Sequence, residues 1–173
     1  MSVTLKTGKQ SPFTLTESDR ESLRARLDLA LQRARRSGHA TLATITCVLP
    51  SDMDPSAVAC ASRREGEPWF VFEQPDRGGS ALAGLGQAIC LEGTGDDRFA
   101  SVADRWRSLS AAAVADSPGD PDGGGPIAVG GFAFGPDGGT SHAWSGFEPA
   151  SLLVPEVTLV RERRDGKRRV RLT

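Results

Sequence analysis

The sequence has 173 residues, 38% of them hydrophobic, and a formal net charge of −1. This is enough for one domain with a single core over residues 1–173, and the balanced charge argues against nucleic acid or an anionic membrane as partner. No window approaches the roughly 20 apolar residues that a membrane-spanning helix needs, and the amino terminus lacks the apolar block of a signal peptide, so a soluble cytoplasmic protein is expected.

The first predicted element is an amphipathic helix that ends near Gly38. Thr16 followed by Asp19 resembles a capping box, and Gly38 is a plausible stop. Between them apolar residues recur at helical spacing, namely Leu23, Leu27, Ala30, Leu31 and Ala34. A basic cluster at its end suits the helix dipole and needs no ligand to explain it.

Three strands are predicted next. Residues 40–49, "ATLATITCVL", are rich in β-branched and apolar side chains, which is typical of a strand covered on both faces. The runs "AVACAS" and "WFVFE" predict two short strands that pair as a hairpin across the polar loop "RREGEP".

The run "GGSALAGLGQAICLEGTG" predicts one long strand. Its interior glycines, Gly84 and Gly86, mark positions where another backbone or a bulky ring comes close. A second helix is then capped by Asp96 or Asp97. Its apolar stripe faces a core and consists of Phe99, Val102, Trp106, Leu109 and Ala113.

The last third of the chain begins with a proline-, glycine- and acid-rich run. Residues 116–126, "DSPGDPDGGGP", predict a solvated mobile loop. Further on, Asp165 and Gly166 separate two strand-like runs as a hairpin turn does. Since most strands follow one another without a helix, the fold class is α+β, a mostly antiparallel sheet with about two flanking amphipathic helices.

The stretch "GGFAFGPDGG", residues 130–139, invites comparison with a phosphate-binding loop. Such a loop needs its glycines where a strand meets a helix, and no helical pattern or Walker-type lysine follows here. The run "GLGQAI" lacks the third glycine of a dinucleotide fingerprint. The stretch is therefore predicted to be a strand whose glycines allow close packing.

The nucleophiles and metal ligands of the sequence form no recognisable site. His39 and His142 have no partner at ligand spacing, and Ser80 lacks the closing glycine of a nucleophile elbow. The odd number of widely spaced cysteines, Cys47, Cys60 and Cys90, indicates reduced core thiols.

A basic run extends over residues 161–171. It holds seven basic side chains against Glu162 and Asp165. No aromatic residue is interleaved, and basic residues that alternate with valine and leucine are typical of a solvent-facing edge hairpin. The edge hairpin is preferred, and a nucleic-acid patch is the alternative.

The order of segments resembles the amino-terminal part of isochorismate synthases, over about residues 38–173. The resemblance is carried by "WFVFEQPDRGGSALAGLGQA", then "GDDRF" and a tryptophan-containing helix, then "AVGGFAF", and finally "LLVPEVTLVR". It implies membership of the chorismate-utilising enzymes and an interior position for the "GGFAF" strand. Gly135 stands where the family usually has aspartate, and Phe72 where tryptophan is common.

In such enzymes the resemblance implies Mg²⁺-dependent isomerisation of chorismate to isochorismate, with the catalytic lysine and glutamates in later segments. None of those segments matches this sequence, so the resemblance assigns it no catalytic, cofactor-binding or metal-binding residue. The expected role is structural: the amino-terminal region of an isochorismate synthase, inactive alone, whose partner is the catalytic carboxy-terminal half. The sequence does not say whether the product serves menaquinone, salicylate or siderophore synthesis. The alternative is a stand-alone, non-catalytic binding or regulatory module.

Overall fold

A computed structural model describes residues 14–116, 124–139 and 142–173. The elements in chain order are α1 (Glu17–Ser37), β1 (Cys47–Leu49), α2 (Pro55–Ser62), β2 (Trp69–Gln74), β3 (Ser80–Leu85), β4 (Ile89–Gly93), α3 (Arg98–Ala112), β5 (Val129–Phe132), a 3₁₀ turn (His142–Trp144), β6 (Ala150–Val154), β7 (Val157–Arg164) and β8 (Lys167–Leu172). The α+β class and the antiparallel pairing of these strands are confirmed.

The strands form two sheets. The larger has five strands in the order β1-β8-β7-β3-β2, and the smaller has three in the order β4-β6-β5. The predicted turn at Asp165 and Gly166 joins β7 to β8, with both residues at positive φ. The predicted edge position holds only for the tip of this basic hairpin, residues 162–169. Its base is interior, because residues 170–172 of β8 also pair with β1 and residues 157–161 of β7 also pair with β3.

The predicted single long strand is in fact β3 and β4, which belong to different sheets. The chain turns at Gly86, which has φ of 71° and donates its N–H to the Pro68 carbonyl. Gly84 does serve as predicted: a Cβ at this position would clash with the ring of Phe70, its partner on β2. Gly84 thus admits a close neighbour within the strand, and Gly86 lets the chain turn directly after the strand ends.

The run "AVACAS" is a helix rather than a strand, and the hairpin predicted for it does not form. The Asp54 carboxylate accepts the N–H groups of Ser56 and Ala57, and Pro55 occupies the first turn. This N-terminal signal outweighs the weak strand preference of small residues. Strand β2 pairs with β3 instead.

Helix α1 has its predicted ends. Thr16 and Asp19 form the reciprocal capping box, and Gly38 adopts the left-handed cap conformation. Its apolar stripe, however, is largely exposed to solvent, since Leu27 and Leu31 are about half exposed.

Helix α3 follows its predicted stripe more closely, because Val102 and Leu109 are buried. Asp97 is its N-cap residue, but its side chain makes no capping hydrogen bond.

The strand predicted over residues 40–49 is reduced to the three residues of β1, and Val48 is exposed. Ahead of it, Ala43 makes a single parallel bridge to Val114. The cysteines are free thiols as expected, but Cys60 is exposed, so it is not a core thiol.

Each sheet has its own core. Leu49, Ala59, Ala83, Leu159 and Val170 form the core of the larger sheet. The core of the smaller sheet, against α3, comprises Leu91, Val102, Leu109, Ala150 and Val154. Most of the predicted mobile loop, residues 117–123, lies outside the described residues. No helix in the described part of the chain is long and apolar enough to cross a membrane.

Candidate functional site

A groove of about 560 Å³ lies beside β5, on the smaller sheet. It is an open, largely apolar surface feature, within the size range of ligand pockets. Its lining residues come from β4, β5, β6 and the segment that joins β5 to β6. They are Glu92, Gly131, Phe132, Ala133, Phe134, Gly135, Gly138, Gly139, Trp144, Gly146, Phe147, Glu148 and Ser151.

One row of cross-strand neighbours contributes to this groove. Glu92 on β4 pairs with Ser151 on β6, and Ser151 pairs in turn with Gly131 on β5. Gly131 faces open space, whereas a Cβ on Gly130 would clash with the carbonyl of Ser151. The two glycines therefore have different roles: Gly130 permits close strand packing, and Gly131 leaves the groove open.

The "GGFAF" stretch is a strand as predicted, over Val129–Phe132. The phosphate-loop arrangement is excluded, since the next regular element described is the short 3₁₀ turn His142–Trp144. Within the described residues β5 is an edge strand of its sheet, so the interior position implied by the resemblance is not seen in this chain by itself. Three of its four residues are exposed.

The segment after β5 is held by a buried arginine at the start of α3. Arg98 retains only 5% of its reference surface. Its guanidinium donates to the carbonyls of Ala133 (2.9 Å), Phe134 (2.8 Å) and Gly95 (2.9 Å). A buried charge is tolerated when its donors are satisfied in this way. Arg98 therefore fixes the backbone at Ala133 and Phe134, directly after β5.

Those side chains, Phe132, Phe134, Trp144 and Phe147, are here called the aromatic wall. Phe132 stacks on Phe99 of α3 at 4.9 Å between ring centroids, and the Arg98 guanidinium lies 4.5 Å over the Phe99 ring. Trp144 and Phe147 form an edge-to-face pair at 6.0 Å.

Phe134 is the most exposed member of the aromatic wall, at 105% of its reference surface. Its backbone is nevertheless held by Arg98, so an aromatic side chain projects into solvent from a fixed position. Contiguous exposed apolar surface of this kind marks a binding surface.

The ionisable groups of the groove are acidic. Glu92 and Glu148 are among the lining residues, and no lysine or arginine is. Neither carboxylate forms an ion pair among the described residues. The groove thus combines aromatic surface with negative charge.

The nucleophiles singled out in the sequence do not assemble into a site. Ser80 Oγ donates to the Arg77 carbonyl at 2.7 Å, and His39 is exposed. His142 is also exposed, in the 3₁₀ turn. Burial, reinforced by the Asp19 carboxylate, raises the pKa of the Cys47 thiol, which leaves it a weak nucleophile at neutral pH.

A separate ion pair joins α1 to the segment after α3. Arg26 donates to an Asp116 carboxylate oxygen at 2.6 Å and to the Thr44 carbonyl at 2.6 Å. The hydrogen bond from Arg26 lowers the pKa of the Asp116 carboxyl, and the same bond raises the pKa of Arg26. This pair is a structural link and lies outside the groove.

Some of the basic side chains of the hairpin form ion pairs and hydrogen bonds with neighbouring elements. Arg161 lies 3.6 Å from Asp54 and 3.6 Å from Glu73, and its Nε donates to the Gly79 carbonyl at 2.8 Å. Arg171 pairs with Glu162 at 2.8 Å. These contacts tie the hairpin to its neighbours and favour the structural interpretation over a nucleic-acid patch.

Comparison with known proteins identifies the family. The family described as "Chorismate binding enzyme" matches residues 29–172. The chain belongs to this family. It is also 34% identical over 110 residues, 64% of its length, to "Salicylate biosynthesis isochorismate synthase" of Pseudomonas aeruginosa. The matched stretch spans 21% of that relative, and no solved structure matches the chain.

The family assignment from sequence is thus confirmed, but sequence reasoning missed the groove and Arg98. The signal for Arg98 was present in "GDDRF", where arginine directly follows two candidate capping residues. Its contact with residues 35 and 36 positions further along the chain could not be read from that spacing.

Proposed function

We propose that this chain acts as the amino-terminal region of an isochorismate synthase, the isomerase that converts chorismate to isochorismate. Support comes from the family match over residues 29–172 and from the similarity to a relative with that activity in its name. The order of segments over about residues 38–173 supports the same assignment.

Its role is to complete the core of the catalytic portion rather than to perform the reaction. The observation that carries this proposal is the aromatic wall, whose four side chains are exposed, with the backbone at Phe134 held by Arg98. Soluble monomers rarely leave such surface bare, and a partner face explains it. The chain therefore supplies a rigid face on which the catalytic portion packs.

The residues that the structure describes do not fit a Mg²⁺ site. Magnesium prefers several oxygen ligands in near-octahedral geometry. In the described ranges no group of three or more His, Cys, Asp or Glu side chains is placed to hold a metal ion. The proposal accordingly places the Mg²⁺ ligands, the general base and the general acid in the catalytic portion, and the isolated chain is expected to be inactive.

A chimera tests this function. The 110-residue stretch of the Pseudomonas aeruginosa enzyme that matches this chain would be replaced by the corresponding residues of the chain. We expect the folded chimera to convert chorismate to isochorismate with Mg²⁺ present, while the relative with that stretch deleted does not. The isolated chain, assayed in parallel, should give no turnover.

Two outcomes would overturn the proposal. A chimera that melts cooperatively but has no activity would show that the chain does not complete the catalytic portion. Turnover by the isolated chain would show that the reaction is carried out by residues within it.

A further inference from the structure

The charge of the groove argues against the substrate as its occupant. Chorismate carries two carboxylates, and the groove presents Glu92 and Glu148 with no basic side chain among its lining residues. Like charges repel, and a dianion there would gain no compensating ion pair. The complementary occupant carries positive charge.

The aromatic wall adds a second requirement. Exposed phenylalanine and tryptophan rings bind apolar side chains, and their faces also attract arginine and lysine. Both kinds of contact already occur within the molecule, since the Arg98 guanidinium lies over the Phe99 ring and that ring stacks on Phe132. An occupant that alternates apolar and basic side chains satisfies both the rings and the carboxylates.

The size of the exposed surface favours a polypeptide over a small molecule. Phe134 lines the groove yet keeps its full reference exposure, so an occupant that covers it must also extend over the rim of the groove. The lining residues also run from β5 across β6 to β4, so the occupant must extend over the full width of the smaller sheet.

We propose that the groove receives an extended segment of the catalytic portion in which apolar side chains alternate with arginine or lysine. The inference rests on the proposed function and specifies how the two portions meet. The apolar side chains pack on the aromatic wall, and the basic ones pair with Glu92 and Glu148. Arg98 acts as the positioning residue because it holds the backbone of Ala133 and Phe134 before the partner arrives.

Peptide binding to the intact 173-residue chain tests this inference separately from the chimera. The probe is a fluorescein-labelled nine-residue peptide that alternates leucine and arginine, and its counterpart alternates leucine and glutamate. We expect only the basic peptide to bind. Phe134→Ala should weaken it about tenfold or more, since a central aromatic anchor dominates such contacts. Glu92→Gln or Glu148→Gln should each weaken it about threefold, an effect that salt reduces.

Matched controls remove the same groups elsewhere on the surface. Phe72→Ala deletes an exposed ring of the larger sheet, and Glu21→Gln removes an exposed carboxylate of α1. Both variants should bind the basic peptide as the parent chain does. Circular dichroism of each variant confirms that the chain remains folded.

The contradicting results are distinct from failure of the chimera. No binding of the basic peptide, equal binding of both peptides, or equal loss in the controls would overturn the inference. Chorismate that displaces the peptide would assign the groove to the substrate. If sedimentation showed a dimer of the parent chain that Phe134→Ala abolishes, the groove would be assigned to a second copy of the chain. In each case an active chimera would leave the proposed function standing.

Discussion

The two sheets of this protein differ in how completely the chain covers them. In the larger sheet β8 and β7 are interior, and their charged side chains form ion pairs with neighbours, as Arg161 and Arg171 do. In the smaller sheet α3 covers one side, but β5 and the segment after it leave Phe132, Phe134 and Phe147 exposed. The larger sheet also leaves Phe72 exposed, but only the smaller sheet gathers its exposed rings around one groove, which is the face proposed above for a partner.

This contrast has an energetic meaning. Apolar area removed from water stabilises a fold by about 25 cal/mol per Å². The rings of the aromatic wall forgo much of that gain in this chain, whereas Leu159 and Val170 in the larger sheet obtain it in full. The exposed ring of Phe134, whose backbone is held by Arg98, can instead contribute this free energy when it is buried in a complex.

The largest expected effect comes from the core of the larger sheet. Leu159→Ala opens a cavity at a residue with 1% exposure, and we expect it to lower the free energy of unfolding by about 2–5 kcal/mol. Urea denaturation measures this change. Phe134→Ala is the matched variant in the smaller sheet and should alter stability by less than about 0.5 kcal/mol. Equal losses would show that Phe134 is core rather than interface.

A second prediction concerns the ion pair that links α1 to the segment after α3. Asp116→Asn removes a hydrogen bond between charged groups at 2.6 Å, and we expect a loss of about 1.5–3 kcal/mol at pH 7. Because the folded-state pKa of Asp116 is lowered, this stabilisation is present above the unfolded-state pKa of about 3.9 and is lost as pH falls through the folded-state value.

Urea titrations of the Asp116→Asn and parent chains at several pH values check the sign. The stability difference between them should be constant near neutrality and shrink below about pH 4. A difference that grows with acidity would contradict the assigned pairing of Arg26 with Asp116.

The third prediction compares the effects on stability of substituting the two neighbouring glycines of β5. Gly130→Ala places a Cβ against the Ser151 carbonyl, so β5 must move relative to β6. We expect a loss of about 1–3 kcal/mol, as for other overpacked sites. Gly131→Ala, which meets open space, should change stability by less than about 0.5 kcal/mol. Thermal unfolding of both variants measures the contrast, and similar losses would refute the different roles given to them.

The sequence predicted those parts of the fold that depend on local chemistry. The capping box at Thr16 and Asp19, the helix end at Gly38 and the turn at Asp165 and Gly166 were all confirmed, because each is determined by a few adjacent residues. The sequence order of the segments also identified the family.

The remaining features depend on contacts between distant residues. The break at Gly86 was missed because an apolar run looks the same whether it continues in one sheet or passes to another. The helix α2 was missed because its small residues carry little periodic signal beside the capping Asp54. The groove was missed because its lining combines β4, β5, β6 and a turn, and only the folded chain brings Arg98 to Ala133 and Phe134.

The central claim is that the aromatic wall is a face for the catalytic portion. Hydroxyl-radical footprinting measures the accessibility of Phe132, Phe134, Trp144 and Phe147 directly, in the isolated chain and in the active chimera. We expect strong modification of these four residues in the isolated chain and protection in the chimera, while Phe72 remains modified in both. Aromatic side chains of the wall that stay equally reactive in an active chimera would contradict it.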